Sequence, residues 1–191
     1  MKIGLFFGTF DPVHHGHVNI VQSVLNEKYM DRVWVILSPL SPFKQGSSIV
    51  DFFHRKKMLE KAFKHNANVY ISDIENEFKK PNYTIDTLLY LSKKYPKNEF
   101  SIILGADNFN KIHLWKNYKS ILEDYPVFIY PRKGFPRKGL DYNLMGTRIC
   151  MIPMECIPIS SSLIRANIYK EEFREYLNPH VREYIFENKL Y

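Results

Sequence analysis

Apolar residues run along this chain in short blocks set apart by amphipathic stretches. "KIGLFF" near the start, "VWVILS" (33–38), "NVYISD" (68–73), "FSIILG" (100–105), "PVFIY" (126–130) and "RICMI" (148–152) are strand-length and rich in β-branched or aromatic side chains. Strands covered on both faces read this way. Between the blocks the period changes to that of a helix. Residues 16–28 follow the first block, 51–65 open on Asp51 as an N-cap, and 84–94 carry Ile85, Leu88, Leu89 and Leu91 at helical spacing. In the closing "NPHVREYIFENKL", Asn178 caps and Pro179 takes the first helical position, which predicts a C-terminal helix. Strands alternating with helices predict a single α/β domain over 1–191, a Rossmann-like doubly wound parallel sheet with helices on both faces. In such sheets ligands bind outside the carboxyl ends of the strands. Functional residues are therefore expected just behind each strand, and the long loops 39–49 and 131–147 fall there.

Composition narrows the function classes. The chain is 45% hydrophobic, enough for a substantial core. None of its apolar runs nears the ~18–20 residues of a membrane span, and no signal-peptide pattern follows Lys2, so a cytoplasmic protein without a membrane partner is expected. Cys150 and Cys156 read as buried free thiols, too few for a structural zinc. The net charge of +7 favours anionic partners. The basic residues are scattered and form no long run, so charge decides nothing further; the expectation of small-molecule substrates and no nucleic acid rests on the motifs below.

The densest chemistry lies behind the first strand, in Gly8-Thr9-Phe10-Asp11-Pro12-Val13-His14-His15-Gly16-His17. Gly8 would let the backbone approach a ligand closely, and a polar turn feeding a helix offers N–H groups to phosphate. His14 and His17 are three apart, so on a helix both can face one crevice, there to donate to phosphoryl oxygens or, protonated, to neutralise charge. A metal pair is the competing reading, weak without a third ligand. Neither G-x-x-x-x-G-K-[ST] nor G-x-G-x-x-G occurs. Toward the far end, Ser160, Ser161 and Ser162 open a short helix with Arg165 one turn on. By themselves they read as a cap and a surface arginine, or as an anion site.

The first stretch resembles the G-T-F-D-P-x-H-x-G-H signature of the nucleotidylyltransferase superfamily, and Ile159–Arg165 resembles its I-S-S-[ST]-x-[IV]-R segment. "PNYTIDTLLYL" (81–91), "LGADNFNKIHLWKNY" (104–118) and "SPFK" (41–44) resemble the bacterial nicotinate-nucleotide adenylyltransferases. Phosphopantetheine adenylyltransferases share the serines; they or another nucleotidylyltransferase of the same fold, and a non-catalytic nucleotide-binding protein, are the alternatives. The resemblance implies transfer of AMP from ATP to nicotinate mononucleotide, giving nicotinate adenine dinucleotide and pyrophosphate in NAD biosynthesis. It implies ATP contacts at Gly8, Thr9, Phe10, His14, His17, Gly105, Asp107, Ser160, Ser161, Ser162 and Arg165, with His14, His17 and Arg165 catalytic. It implies mononucleotide contacts at Lys44, Thr84 and Trp115. Mg²⁺ would be bound mainly by the phosphates, with no protein metal ligands. Two departures stand out: Phe7 precedes Gly8 where the family commonly has glycine, and Phe43 replaces a histidine. The oligomeric state stays open, a homo-oligomer among the alternatives.

Overall fold

A computed structural model describes residues 1–39, 49–135 and 148–191. Its centre is a six-stranded sheet, all parallel, built from β1 (Lys2–Gly8), β2 (Arg32–Leu37), β3 (Val69–Ser72), β4 (Glu99–Gly105), β5 (Val127–Tyr130) and β6 (Ile149–Met151). The order across the sheet is β3-β2-β1-β4-β5-β6. Every apolar block of the sequence supplies one strand, with ends shifted by a residue or two.

Both faces of the sheet are covered because successive strand residues are apolar on both sides. Phe6, Val33, Val35 and Ile103 pack with α1 (His15–Asn26), α2 (Phe52–Ala62) and α8 (Pro179–Glu187) through Val21, Val24, Met58 and Ile185. Ile3, Leu5, Ile102 and Leu104 point the other way, onto α3 (Thr84–Lys94), α4 (Ala106–Phe109) and α5 (Tyr118–Asp124), through Ile85, Leu88, Phe109 and Ile121. The caps at Asp51 and Asn178 form as expected, accepting from the N–H groups of Phe53 and His180. The first helix ends two residues early because Lys28 turns into the left-handed region at φ 55°. The second stops at Ala62, where Phe63 turns out of the helix as its C-cap. Two further short helices complete the chain, α6 (Ser161–Ala166) and α7 (Glu171–Arg174). Cys150 and Cys156 are free thiols, but half-buried rather than buried.

The strand order reverses between β1 and β4, and neighbouring helices leave the sheet there in opposite directions. The carboxyl ends of these two strands therefore open a crevice. Gly8 ends one and Gly105 the other.

Candidate active site

The turn after β1 is almost wholly buried, which a solvent-exposed loop would not be. Phe10 takes a left-handed φ of 47° and folds its ring back over Gly8, where an added Cβ would stand 2.9 Å from it. Gly8 thus makes room for the Phe10 ring, and it also lines the cavity described below. The Phe10 side chain is core, edge-on to Phe6 at 5.4 Å and to His17 at 5.0 Å. Any contact it offers a nucleotide is through its backbone.

The histidines begin α1 as a reciprocal cap. His14 Nδ1 accepts from the Gly16 N–H at 3.1 Å, and His17 Nδ1 accepts from the His14 N–H at 3.2 Å. Gly16 is required here, since a Cβ would stand 2.8 Å from the His14 ring. The two rings lie 3.8 Å apart, tilted by 33°. A neutral imidazole whose Nδ1 accepts from an amide carries its proton on Nε2. Both rings are therefore set as Nε2–H donors. His14 is only 3% exposed, and burial, helped by Arg132 and His15, pushes its pKa down to about 3. It donates as a neutral ring, which favours the donor reading of His14 over the charge-neutralising one. His15 stands outside this pair, and its N–H is tied to the Tyr176 carbonyl at 2.7 Å.

The depressed pKa has a consequence for stability. Below the unfolded value near 6.5 the unfolded chain takes up a proton that folded His14 refuses, so stability falls as pH drops from there toward about 3. One such group gives a slope of about 1 kcal/mol per pH unit. Urea denaturation at pH 7 and pH 5 should show His14→Gln gaining on the wild type by roughly that slope. Parallel losses in the two proteins would mean that His14 titrates normally.

The second motif is bonded directly to the first. Ser161 Oγ donates to the Pro12 carbonyl at 2.9 Å, and Arg165 Nη1 donates to the Asp11 carbonyl at 2.6 Å. Asp11 Oδ2 lies 3.6 Å from the same nitrogen, and Oδ1 accepts from the Tyr191 hydroxyl at 2.6 Å. Burial and that carboxylate hold the Tyr191 phenol far above its ordinary pKa. Ser160 caps α6, accepting from the Leu163 N–H at 3.2 Å, and Ser162 Oγ accepts from Arg165 Nη2 at 3.3 Å. The cap reading of the motif thus holds at Ser160, while the bonds of Ser161 to Pro12 and of Ser162 to Arg165 were not visible in it.

Two arginines escaped the sequence reading. Arg55, 2% exposed, donates to the carbonyls of Thr9 (2.8 Å), Ser38 (2.9 Å), Pro39 (3.0 Å) and Val50 (2.8 Å). It clamps the turn after β1 to the segment after β2. Burial lowers its pKa, with Asp11 pulling the other way. Arg132, two residues behind β5, lies over the Tyr130 ring at 5.5 Å and 3.5 Å from Asp107 Oδ1. Its place just after a strand was the signal that could have found it; Arg55, on a polar helix, gave none.

A cavity of about 360 Å³ opens at the strand ends, with Gly8, Thr9, Thr84, Lys111 and Trp115 on its wall. Thr84 is the first residue of α3, whose N-terminus no side chain caps. Asp86 and Lys116 pair at 2.9 Å, both nearly half exposed, so the pair adds little stability; it does link α3 to the segment bearing Trp115. A smaller depression adjoins, lined by His14, Gly16, His17, Arg132 and Ile159, and Tyr130 borders both. Gly105 and Asp107 end β4 and start α4 beside them. Of the expected site residues, Gly8, Thr9, Thr84 and Trp115 line the larger cavity, His14 and His17 the smaller, and Ser161 and Arg165 bond to the turn between β1 and α1. Phe10, Gly105, Asp107, Ser160 and Ser162 line neither, and Lys44 with Phe43 lies outside the described residues. Among the described residues no group of three His, Cys, Asp or Glu could hold a metal ion, and no helix is long and apolar enough to cross a membrane.

A model of the cytidylyltransferase-like family matches residues 5–167. A probable nicotinate-nucleotide adenylyltransferase of Flavobacterium psychrophilum is 37% identical, covering 100% of this chain and 99% of its own. One of Bacteroides thetaiotaomicron is 32% identical over 98% and 92%. The fold is similar to Plasmodium falciparum nicotinic acid mononucleotide adenylyltransferase complexed with NaAD, at a TM-score of 0.82 and 21% identity, over 99% of this chain and 96% of that one.

Proposed function

The chain belongs to the cytidylyltransferase-like family, and we propose that within it the protein is a nicotinate-nucleotide adenylyltransferase. It transfers AMP from ATP to nicotinate mononucleotide, yielding nicotinate adenine dinucleotide and pyrophosphate. The observation that carries this reading is the joining of the two motifs by the Ser161–Pro12 and Arg165–Asp11 hydrogen bonds, directly beside the cavity that holds Thr84 and Trp115.

The reaction needs no protein nucleophile. An oxygen of the mononucleotide 5′-phosphate, already anionic, bonds to the α-phosphorus of ATP, and the bond to the β-phosphate oxygen breaks in line. Pyrophosphate leaves with that electron pair. Catalysis is then positioning plus stabilisation of charge on the phosphoryl oxygens. His14 and His17 supply Nε2–H donors to the α-phosphoryl group, and Arg165 with the start of α6 faces the leaving pyrophosphate. Asp107 places the ATP ribose. Trp115 offers a flat face to the pyridinium ring, and Thr84 with the uncapped α3 N-terminus meets the nicotinate carboxylate. Mg²⁺ would be held by the ATP phosphates, since no group of His, Cys, Asp or Glu among the described residues could hold it, and would neutralise part of their charge. The same reading makes residues 1–191 one cytoplasmic domain acting on small molecules.

Pyrophosphate release from ATP, measured with nicotinate mononucleotide, its amide and phosphopantetheine, tests the assignment. Nicotinate mononucleotide should be preferred over its amide, because the uncapped main-chain N–H groups at the start of α3 only donate and the amide NH₂ cannot meet them. One unmet buried polar group costs ~1–3 kcal/mol, roughly tenfold to a hundredfold in kcat/KM. Thr84→Val should narrow that preference, and Trp115→Ala should harm both pyridine substrates. Equal use of acid and amide by the wild type would sink the donor-only contact at Thr84, and turnover only with phosphopantetheine would sink the function.

A further inference from the structure

Asp11 is 2% exposed, yet its carboxylate takes no part in the reaction above. Its surroundings are set by two side chains from the far end of the sequence. Oδ1 accepts from the Tyr191 hydroxyl at 2.6 Å, whereas Oδ2 lies 3.6 Å from Arg165 Nη1, beyond hydrogen-bond reach. That nitrogen donates instead to the Asp11 main-chain carbonyl at 2.6 Å, and Nη2 donates to Ser162 Oγ at 3.3 Å. Arg165 is thus held beside Asp11 without the two parallel bonds that a guanidinium and a carboxylate form when free to do so. Its side chain stays 29% exposed, open to an incoming anion. The Tyr191 ring packs against the core, and its phenol, kept protonated by burial and by Asp11, stays a donor.

We propose that Tyr191 is a positioning residue for the reaction: by occupying Asp11 Oδ1 it stops Arg165 from closing onto the carboxylate, and so keeps the guanidinium aimed at the leaving pyrophosphate. The proposal rests on the function above and gives a role to a residue outside both motifs. A buried carboxylate oxygen without a donor is costly, so on loss of the hydroxyl Oδ1 takes whatever donor can reach it. Two arginines act on this carboxylate. Arg55 is committed to four main-chain carbonyls and is not free to turn. Arg165 is free. Taking both oxygens of Asp11 as a bidentate pair would satisfy the carboxylate and swing the guanidinium away from phosphate. A shift of about 1 Å in such a group can cost up to ~10²-fold in rate.

The test uses the whole chain and reads the reaction both ways, from ATP and nicotinate mononucleotide and from nicotinate adenine dinucleotide and pyrophosphate. Tyr191→Phe keeps the ring and loses only the hydroxyl. It should lower kcat roughly tenfold and raise the KM for pyrophosphate by a similar factor, leaving the KM for nicotinate mononucleotide within about twofold of the wild type. Asp11→Asn removes the charge that draws Arg165, so adding Tyr191→Phe to Asp11→Asn should cost less than about twofold more. That double variant lacks the unmet buried charge, so it stays informative where Tyr191→Phe alone folds poorly. Unchanged kcat and pyrophosphate KM in Tyr191→Phe overturn the proposal. So do losses spread evenly over all substrates, the signature of a hydroxyl that only stabilises the fold. A full tenfold loss retained in the Asp11→Asn background overturns it too. A wild type that makes no ATP from nicotinate adenine dinucleotide and pyrophosphate is the separate signature of a wrong function, and removes both.

Discussion

His14→Ala and His17→Ala should each lower kcat by about 10²–10³ while ATP binding weakens far less. The figure is that for removing one preorganised donor from developing charge. Preorganisation is the point: each Nδ1 is filled by a main-chain N–H, so each Nε2–H is fixed before substrate arrives. His14 also caps α1, and losing a cap costs about 1 kcal/mol, too little to unfold the protein. A melting curve for each variant separates that loss from the catalytic one. His15→Ala should be mild, because His15 makes no part of the reciprocal cap. The check is kcat together with ATP affinity for all three variants. If His15→Ala proves as damaging as the others, the histidine pair is wrongly assigned.

Arg55→Met should be the most destabilising single change among those considered. Replacing a buried ion pair by apolar residues is often neutral, but Arg55 is bonded to four main-chain carbonyls that cannot be replaced. A methionine of similar bulk leaves them without a donor. Each unmet group costs ~1–3 kcal/mol, and with some rehydration the total should still reach at least about 3 kcal/mol. A typical domain has only ~5–15 kcal/mol to lose. Arg55→Lys keeps one charged donor group without the fork and should recover part of the loss. Urea denaturation of the two variants reads this directly. A midpoint for Arg55→Met within error of the wild type would show that the clamp is dispensable.

How much of this was legible without coordinates varies with how local the cause is. The strands were legible because each is an unbroken apolar block, and the helices with caps at Asp51 and Asn178 announced themselves. The helix at 118–124 did not. It starts at Asn117 in a left-handed conformation without a side-chain cap, and only Ile121 is buried, so neither a start signal nor a stripe exists. The site motifs were visible as residue types at fixed spacing. What each residue does there was less so, because the partners are distant in sequence. The ring of Phe10 fills the space that Gly8 leaves, Ser161 is spent on Pro12, and a neighbour across the sheet helps keep His14 neutral. Arg55 sits in "HRKKMLEK", where a charged residue reads as solvated face, and only the carbonyls of two loops make it interior.

The bonds between the two motifs join residues far apart along the chain: Ser161 to Pro12 across 149 positions, Arg165 to Asp11 across 154, Tyr191 to Asp11 across 180. Contacts of such long separation carry the largest loop-closure entropy. A chain made from its N-terminus has β1, β2 and β4 in hand, with the histidine turn among them, long before α6 exists. That intermediate has a nucleotide loop with no second motif to brace it. The brace on the nucleotide turn therefore depends on residues made near the end of the chain.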